Sequence, residues 1–133
     1  VVFDPRLINR KKALMSNRFA LLAGSLLAAL GVSLGAFAAH GLRGSLGAVE
    51  LAWWSTAVDY QMWHALGLIG LGASRNARLT VPAVVLASGT VVFAASLYLM
   101  ALTGARWLGM ITPVGGALMV AGWLMVAWRI WRE

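Results

Sequence analysis

The sequence predicts an all-α polytopic membrane protein: an up-down-up-down bundle of four transmembrane helices with both termini on the cytoplasmic side. Three observations lead there. Hydrophobic residues make up 61% of the 133-residue chain and charged residues only 11%, too few to clothe a water-soluble surface. Four apolar runs reach the length of a bilayer crossing, about 20 mostly apolar residues. The eleven Lys and Arg flank those runs unevenly, nine on one side and two on the other.

The chain opens with a basic segment, residues 1–18, "VVFDPRLINRKKALMSNR", expected to be cytoplasmic. Met15 stands just before an ordinary membrane-protein start. Three readings of residues 1–14 therefore stay open: an extension lying on anionic lipid, an upstream start, or the tail of something longer. The four-helix domain follows over residues 19–133, with spans at about 19–39, 56–73, 79–102 and 108–128. "GAVELAWWS", before the second span, reads either as an interfacial helix or as an outward extension of that span. The short connections "SRNAR" and "TGARW" make consecutive helices antiparallel neighbours. "ITPVGG" reads as a helix start, with Thr112 as N-cap and Pro113 in the first helical position.

Orientation follows from charge. With the N-terminus inside, Arg6, Arg10, Lys11, Lys12, Arg18, Arg75, Arg78, Arg129 and Arg132 fall on the inner side, and only Arg43 and Arg106 on the outer. Trp53, Trp54 and Trp107 mark the outer boundary, and Trp128 and Trp131 the inner one. The net charge of +7 is thus explained by topology and lipid head groups, and nucleic-acid binding is not expected.

Gly24, Ala28, Gly31, Gly35 and Ala39 place small residues on one side of the first span, which allows close approach of a second helix. Packing within the monomer is preferred over a dimerisation face. No internal repeat supports an inverted-repeat transporter. "AFAAHGLRG", residues 36–44, imitates a signal-peptidase site, but the apolar run before it is longer than a signal h-region and long enough to span. It is read as the outer exit of the first span, with Gly41 ending the helix.

Ionisable groups inside spans are functional candidates, because hydrocarbon penalises them unless they are paired. His64 lies ~16 Å above Arg75 by helical rise, with Asp59 ~24 Å above it, and Tyr60 shares the His64 face. His40 lies ~33 Å above Arg18, so a haem held between His40 and His64 fails on depth. No metal-ligand spacing and no Ser, His and carboxylate arrangement is present, and the chain has no cysteine. No cofactor, metal or catalytic residue is expected, and an enzyme is the less favoured class. Asp59 is expected to pair with Arg43 or Arg106, and His64 to be a buried, hydrogen-bonded histidine.

Three stretches, "GAFAAHGL" (35–42), "WWSTAVDYQMWHALGL" (53–68) and "FAASLYLMALTGARWLGMITPVGGALMVAGW" (93–123), together resemble the YgdD-like family of small inner-membrane proteins, the UPF0382 or DUF423 type, over nearly all of the chain after Met15. Ala38 stands where the family has glycine, and Ala94-Ala95 where it tends to Ser-Gly; both changes bear only on local packing. The resemblance implies an uncleaved four-span protein of the bacterial inner (plasma) membrane and no established reaction. It directs attention to a ligand-binding cluster in the outer half formed by His40, Asp59, Tyr60, His64, Tyr98, Arg106 and Thr112. The N–H groups of a helix beginning at Pro113 would serve an anionic or carbonyl group there. The expected role is an accessory or interaction subunit, or a lipid- or small-ligand-binding membrane protein. The alternative is a small oligomeric transporter or channel. Expected partners are membrane lipids, further copies of the chain or a larger membrane complex.

Overall fold

The structure, a computed structural model, describes residues 2–133 apart from the side chains of Ser16 and Asn17. Four helices account for most of it: α1 (Pro5–Phe37), α2 (Ala48–Ala73), α3 (Thr80–Thr103) and α4 (Thr112–Trp131). A π-helical turn, Ala38–Leu42, prolongs α1, and short 3₁₀ turns, Ala77–Leu79 and Arg106–Met110, lead into α3 and α4.

The basic segment and the first span are one helix. Asp4 caps it, its carboxylate accepting the Arg6 N–H at 2.9 Å, and Pro5 sits in the first turn, where a missing N–H costs nothing. Between Pro5 and Gly24 there is neither proline nor glycine, so nothing in the sequence interrupts the helix at residue 18. Its 33 residues reach about 50 Å, well beyond a ~30 Å hydrocarbon core. At the other end Gly41 does not stop the helix. The Phe37 ring lies over Gly41, a π-turn carries the chain through it, and the buried Leu42 anchors the end against Trp54 and Ala101. The turn itself comes at residues 43–47. Ala38 borders the same small cluster, so the alanine found there is accommodated.

α2 begins at Ala48 and runs without a break, which makes "GAVELAWWS" an outward extension of the second helix. α3 ends at Gly104, whose φ of 71° is a left-handed conformation that suits glycine, and the Gly104 N–H closes on the Met100 carbonyl at 2.9 Å. Thr112 is not the N-cap of α4. The preceding 3₁₀ turn delivers Ile111 already in helical geometry, so Ile111 takes the cap position and Pro113 lies one step further in. The Val114 N–H is satisfied by the Ile111 carbonyl at 3.0 Å, which removes one of the free donors expected of that helix start.

Consecutive helices pack antiparallel. Gly24 faces Ala65 and Ile69, Gly31 faces Met62 and Gly35 faces Val58, so the small-residue stripe of α1 is spent on α2. Gly89 and Gly115 form a matching seam between α3 and α4, and Gly122 meets Leu86. All four helices meet at one end, in a core of Ala20, Leu68, Leu79, Leu86, Met119 and Val126. The same end gathers the N-terminal half of α1, the α2–α3 connection and the C-terminus. Asn76 donates its amide to Glu133, Arg129 donates to the Arg78 carbonyl at 3.2 Å, and Asn9, Lys12 and Ala77 border one cleft.

Among the described residues, three helical segments are long and apolar enough to cross a membrane: Pro5–Leu42, Ala77–Thr103 and Arg106–Trp131. α2 is 26 residues long, about 39 Å, but Asp59, Gln61 and His64 lower its apolar character and it is not among the three.

Candidate functional site

The buried face of α2 is drawn by Ala57, Gln61, His64, Ala65 and Leu68, spaced at three and four residues. Asp59 is two residues from Gln61, roughly 200° around the helix, and is exposed. That geometry explains why the expected salt bridge is missing: among the described residues Asp59 pairs with neither Arg43 nor Arg106, and both arginines are themselves exposed. His40 also lies exposed, on the π-turn at the end of α1.

Four of the remaining candidates enter helix–helix contacts, in three separate places. Gln61, only 1% exposed, donates its amide to the Leu27 carbonyl of α1 at 2.8 Å and accepts the Tyr98 hydroxyl of α3 at 2.8 Å. Gly31 lies beside this bond: a Cβ there would stand in ordinary contact with the Gln61 amide, at 3.5 Å, but only 2.6 Å from the Met62 sulfur. The Tyr98 ring packs on Trp54 at 4.6 Å, and Trp54 in turn donates to the Leu34 carbonyl at 3.0 Å. One buried amide thus ties three helices together.

His64, 8% exposed, takes part in the second contact. Its Nδ1 lies 2.7 Å from the Tyr60 carbonyl, and the Trp123 indole N–H of α4 points at its Nε2 across 3.2 Å. An indole nitrogen only donates, so Nε2 must accept and Nδ1 must carry the proton. His64 thus has both ring nitrogens engaged, the buried hydrogen-bonded histidine the sequence led us to expect. Tyr60 sits beside it at the surface, its ring 4.8 Å from Phe93 and 5.0 Å from Trp63. In the third contact Thr112 meets the buried Ser96 hydroxyl at 2.7 Å, joining α4 to α3.

Gln61 and Trp123 were not among the seven candidates. An uncharged amide and an indole lie outside a search for ionisable groups, yet both are polar groups deep in apolar runs and must find partners there. That burden was their signal. Among the described residues no three of His, Cys, Asp and Glu converge.

The bundle also carries apolar grooves. Between α1 and α3 runs a groove of about 550 Å³, lined by Phe19, Ala23, Leu26, Leu30 and Val91, with the Ser88 hydroxyl along one wall. Leu27, Leu30 and Val91 carry it on into a smaller recess of about 110 Å³ that ends at Gln61 and Tyr98.

A family model described as "Protein of unknown function (DUF423)" matches residues 34–116. The chain is 40% identical over 116 residues to the UPF0382 inner membrane protein YgdD of Escherichia coli (strain K12), covering 84% of this chain and 88% of that protein. It is 44% identical over 109 residues to a UPF0382 membrane protein of Staphylococcus haemolyticus, covering 80% of this chain and 89% of the relative. A UPF0382 membrane protein of Staphylococcus saprophyticus is 45% identical over 109 residues, with 80% and 91% covered. No solved structure matches significantly.

Proposed function

This chain belongs to the DUF423 family of membrane proteins of unknown function, and from that premise we propose that it is a non-enzymatic, four-span inner-membrane protein whose α1–α3 groove holds an apolar chain, in an accessory role. The groove is the observation that carries this reading: about 550 Å³ of open, apolar groove between α1 and α3. The polar groups of the interior argue the same way. Gln61, His64, Ser96 and Tyr98 are all consumed in helix–helix hydrogen bonds, so they do not line a path for a hydrated solute.

Four crossings are supported by the alternating packing, and N-in/C-in orientation by the gathering of the basic N-terminal segment, the α2–α3 connection and the C-terminus at one end. In this arrangement α2 is the fourth span. Its buried polar residues, Gln61 and His64, are tolerated because they face α1, α3 and α4.

The test is retention of lipid by protein purified in mild detergent. Filling the groove with Val91→Trp is expected to strip bound lipid while leaving the helical content unchanged. Retention equal to that of the unaltered chain would overturn the reading.

A further inference from the structure

Resting on the groove reading, we propose that the occupant is an anionic phospholipid of the inner leaflet, its phosphate at Lys12 and one acyl chain along α1. The apolar groove does not end at Phe19. That ring also borders a second cleft, of about 530 Å³, lined by Asn9, Lys12, Met15, Ala77 and Val81. Met15 in turn borders a third, of about 230 Å³, with Lys11, Leu14 and Arg18. The three features thus adjoin one another along α1, and their linings change from apolar to basic toward its N-terminal end.

The lengths fit. From Phe19 to Leu30 is eleven residues, about 16 Å, or half of a ~30 Å hydrocarbon core and so the depth of one leaflet. Lys12 lies seven residues, about 10 Å, below Phe19, in the head-group layer when the lysine extends along its stem. The charge fits too. The linings of the two lower clefts hold Lys11, Lys12 and Arg18 with the Asn9 amide, and no carboxylate. At the end of the groove an anion meets one basic group, Lys12, with the Asn9 amide beside it, Lys11 and Arg18 belonging to the neighbouring cleft, while a zwitterionic head group brings a quaternary amine to the same lysine. A partner helix in the same groove would need an acidic flank at the same depth; a lipid meets the apolar and the basic linings with one molecule.

The experiment uses the intact chain in mixed micelles with equimolar dioleoylphosphatidylglycerol and dioleoylphosphatidylcholine, the bound lipid being counted by native mass spectrometry. Phosphatidylglycerol adducts are expected to exceed phosphatidylcholine adducts about fivefold, and Lys12→Gln to bring the ratio close to one, the effect of a single basic residue at a charged surface. Arg43→Gln, at the far end of α1, is expected to leave the ratio unchanged. Val91→Trp is expected to remove both adducts; Leu26→Trp, on the opposite wall, repeats that arm if the first variant fails to fold. An unselective wild type, or a ratio untouched by Lys12→Gln while the tryptophan variants abolish both adducts, overturns the head-group assignment and leaves the groove reading standing. Adducts that survive both tryptophans sink the groove reading itself.

Discussion

Trp123 of α4 donates its indole N–H to Nε2 of His64 on α2, and Gly67 makes the contact possible. A Cβ at residue 67 would lie 2.8 Å from the tryptophan ring, so the indole can reach the imidazole only over a glycine. Trp123→Phe keeps the ring and deletes the donor. We expect a loss of about 1 kcal/mol, in the range of hydrogen bonds between membrane helices. Reversible unfolding of the purified protein, run as a double-mutant cycle with His64→Ala, measures it; a coupling indistinguishable from zero would show that the pair is only adjacent.

The Gln61 amide is shared by two neighbouring helices, and its loss should be felt non-additively. Tyr98→Phe alone leaves a Gln61 lone pair unmet, Gln61→Leu alone leaves the Tyr98 hydroxyl and one Leu27 lone pair unmet, and the double variant leaves fewer orphans than the sum of the singles. The double variant is expected to be less destabilised than that sum by about 0.5–1.5 kcal/mol, read from the same unfolding assay.

Glycines of equal helix propensity should behave oppositely according to what they face. At Gly115 a Cβ would run into the backbone of Phe93, and at Gly24 it would meet the Ala65 carbonyl at 2.6 Å; at Gly70 nothing lies within 4 Å. Gly115→Ala and Gly24→Ala are expected to cost about 1–3 kcal/mol by forcing helices apart. Gly70→Ala is expected to be neutral or to stabilise by up to about 1 kcal/mol. Melting temperatures of the three variants decide the matter.

Because the chain lacks cysteine, single cysteines report topology without background. Asn9→Cys and Ala77→Cys are expected to resist a membrane-impermeant maleimide in intact cells and to react after lysis. Ser45→Cys and Ala105→Cys are expected to react in both. Opposite labelling of residues 45 and 105 would mean that α2 and α3 do not both cross.

Much of the architecture was legible because it is written in composition and spacing. The limits of the third helix follow from an uncharged run between Arg78 and Arg106, and the close approach of α1 to α2 follows from small residues at fixed spacing. The site was less legible, for a geometric reason. Depth along a helix can be counted, but the direction a side chain takes depends on which face a neighbour covers. Asp59 and Gln61 lie only about 3 Å apart in depth on α2, yet one is exposed and the other packed. The start of α4 was misjudged by a residue because a 3₁₀ turn before it already had helical geometry, which the residues "RWLGM" do not announce.

The unbroken course of α1 has a mechanical consequence. With no joint between Asp4 and Phe37, the basic N-terminal segment and the wall of the groove are the same lever. A helix longer than the hydrocarbon layer adjusts by tilting, by kinking or by thickening the bilayer around it, and a helix without a joint favours tilt over a kink. Tilt of α1 against α3 changes the width of the groove along its whole length. On the groove reading proposed above, membrane thickness would set the aperture.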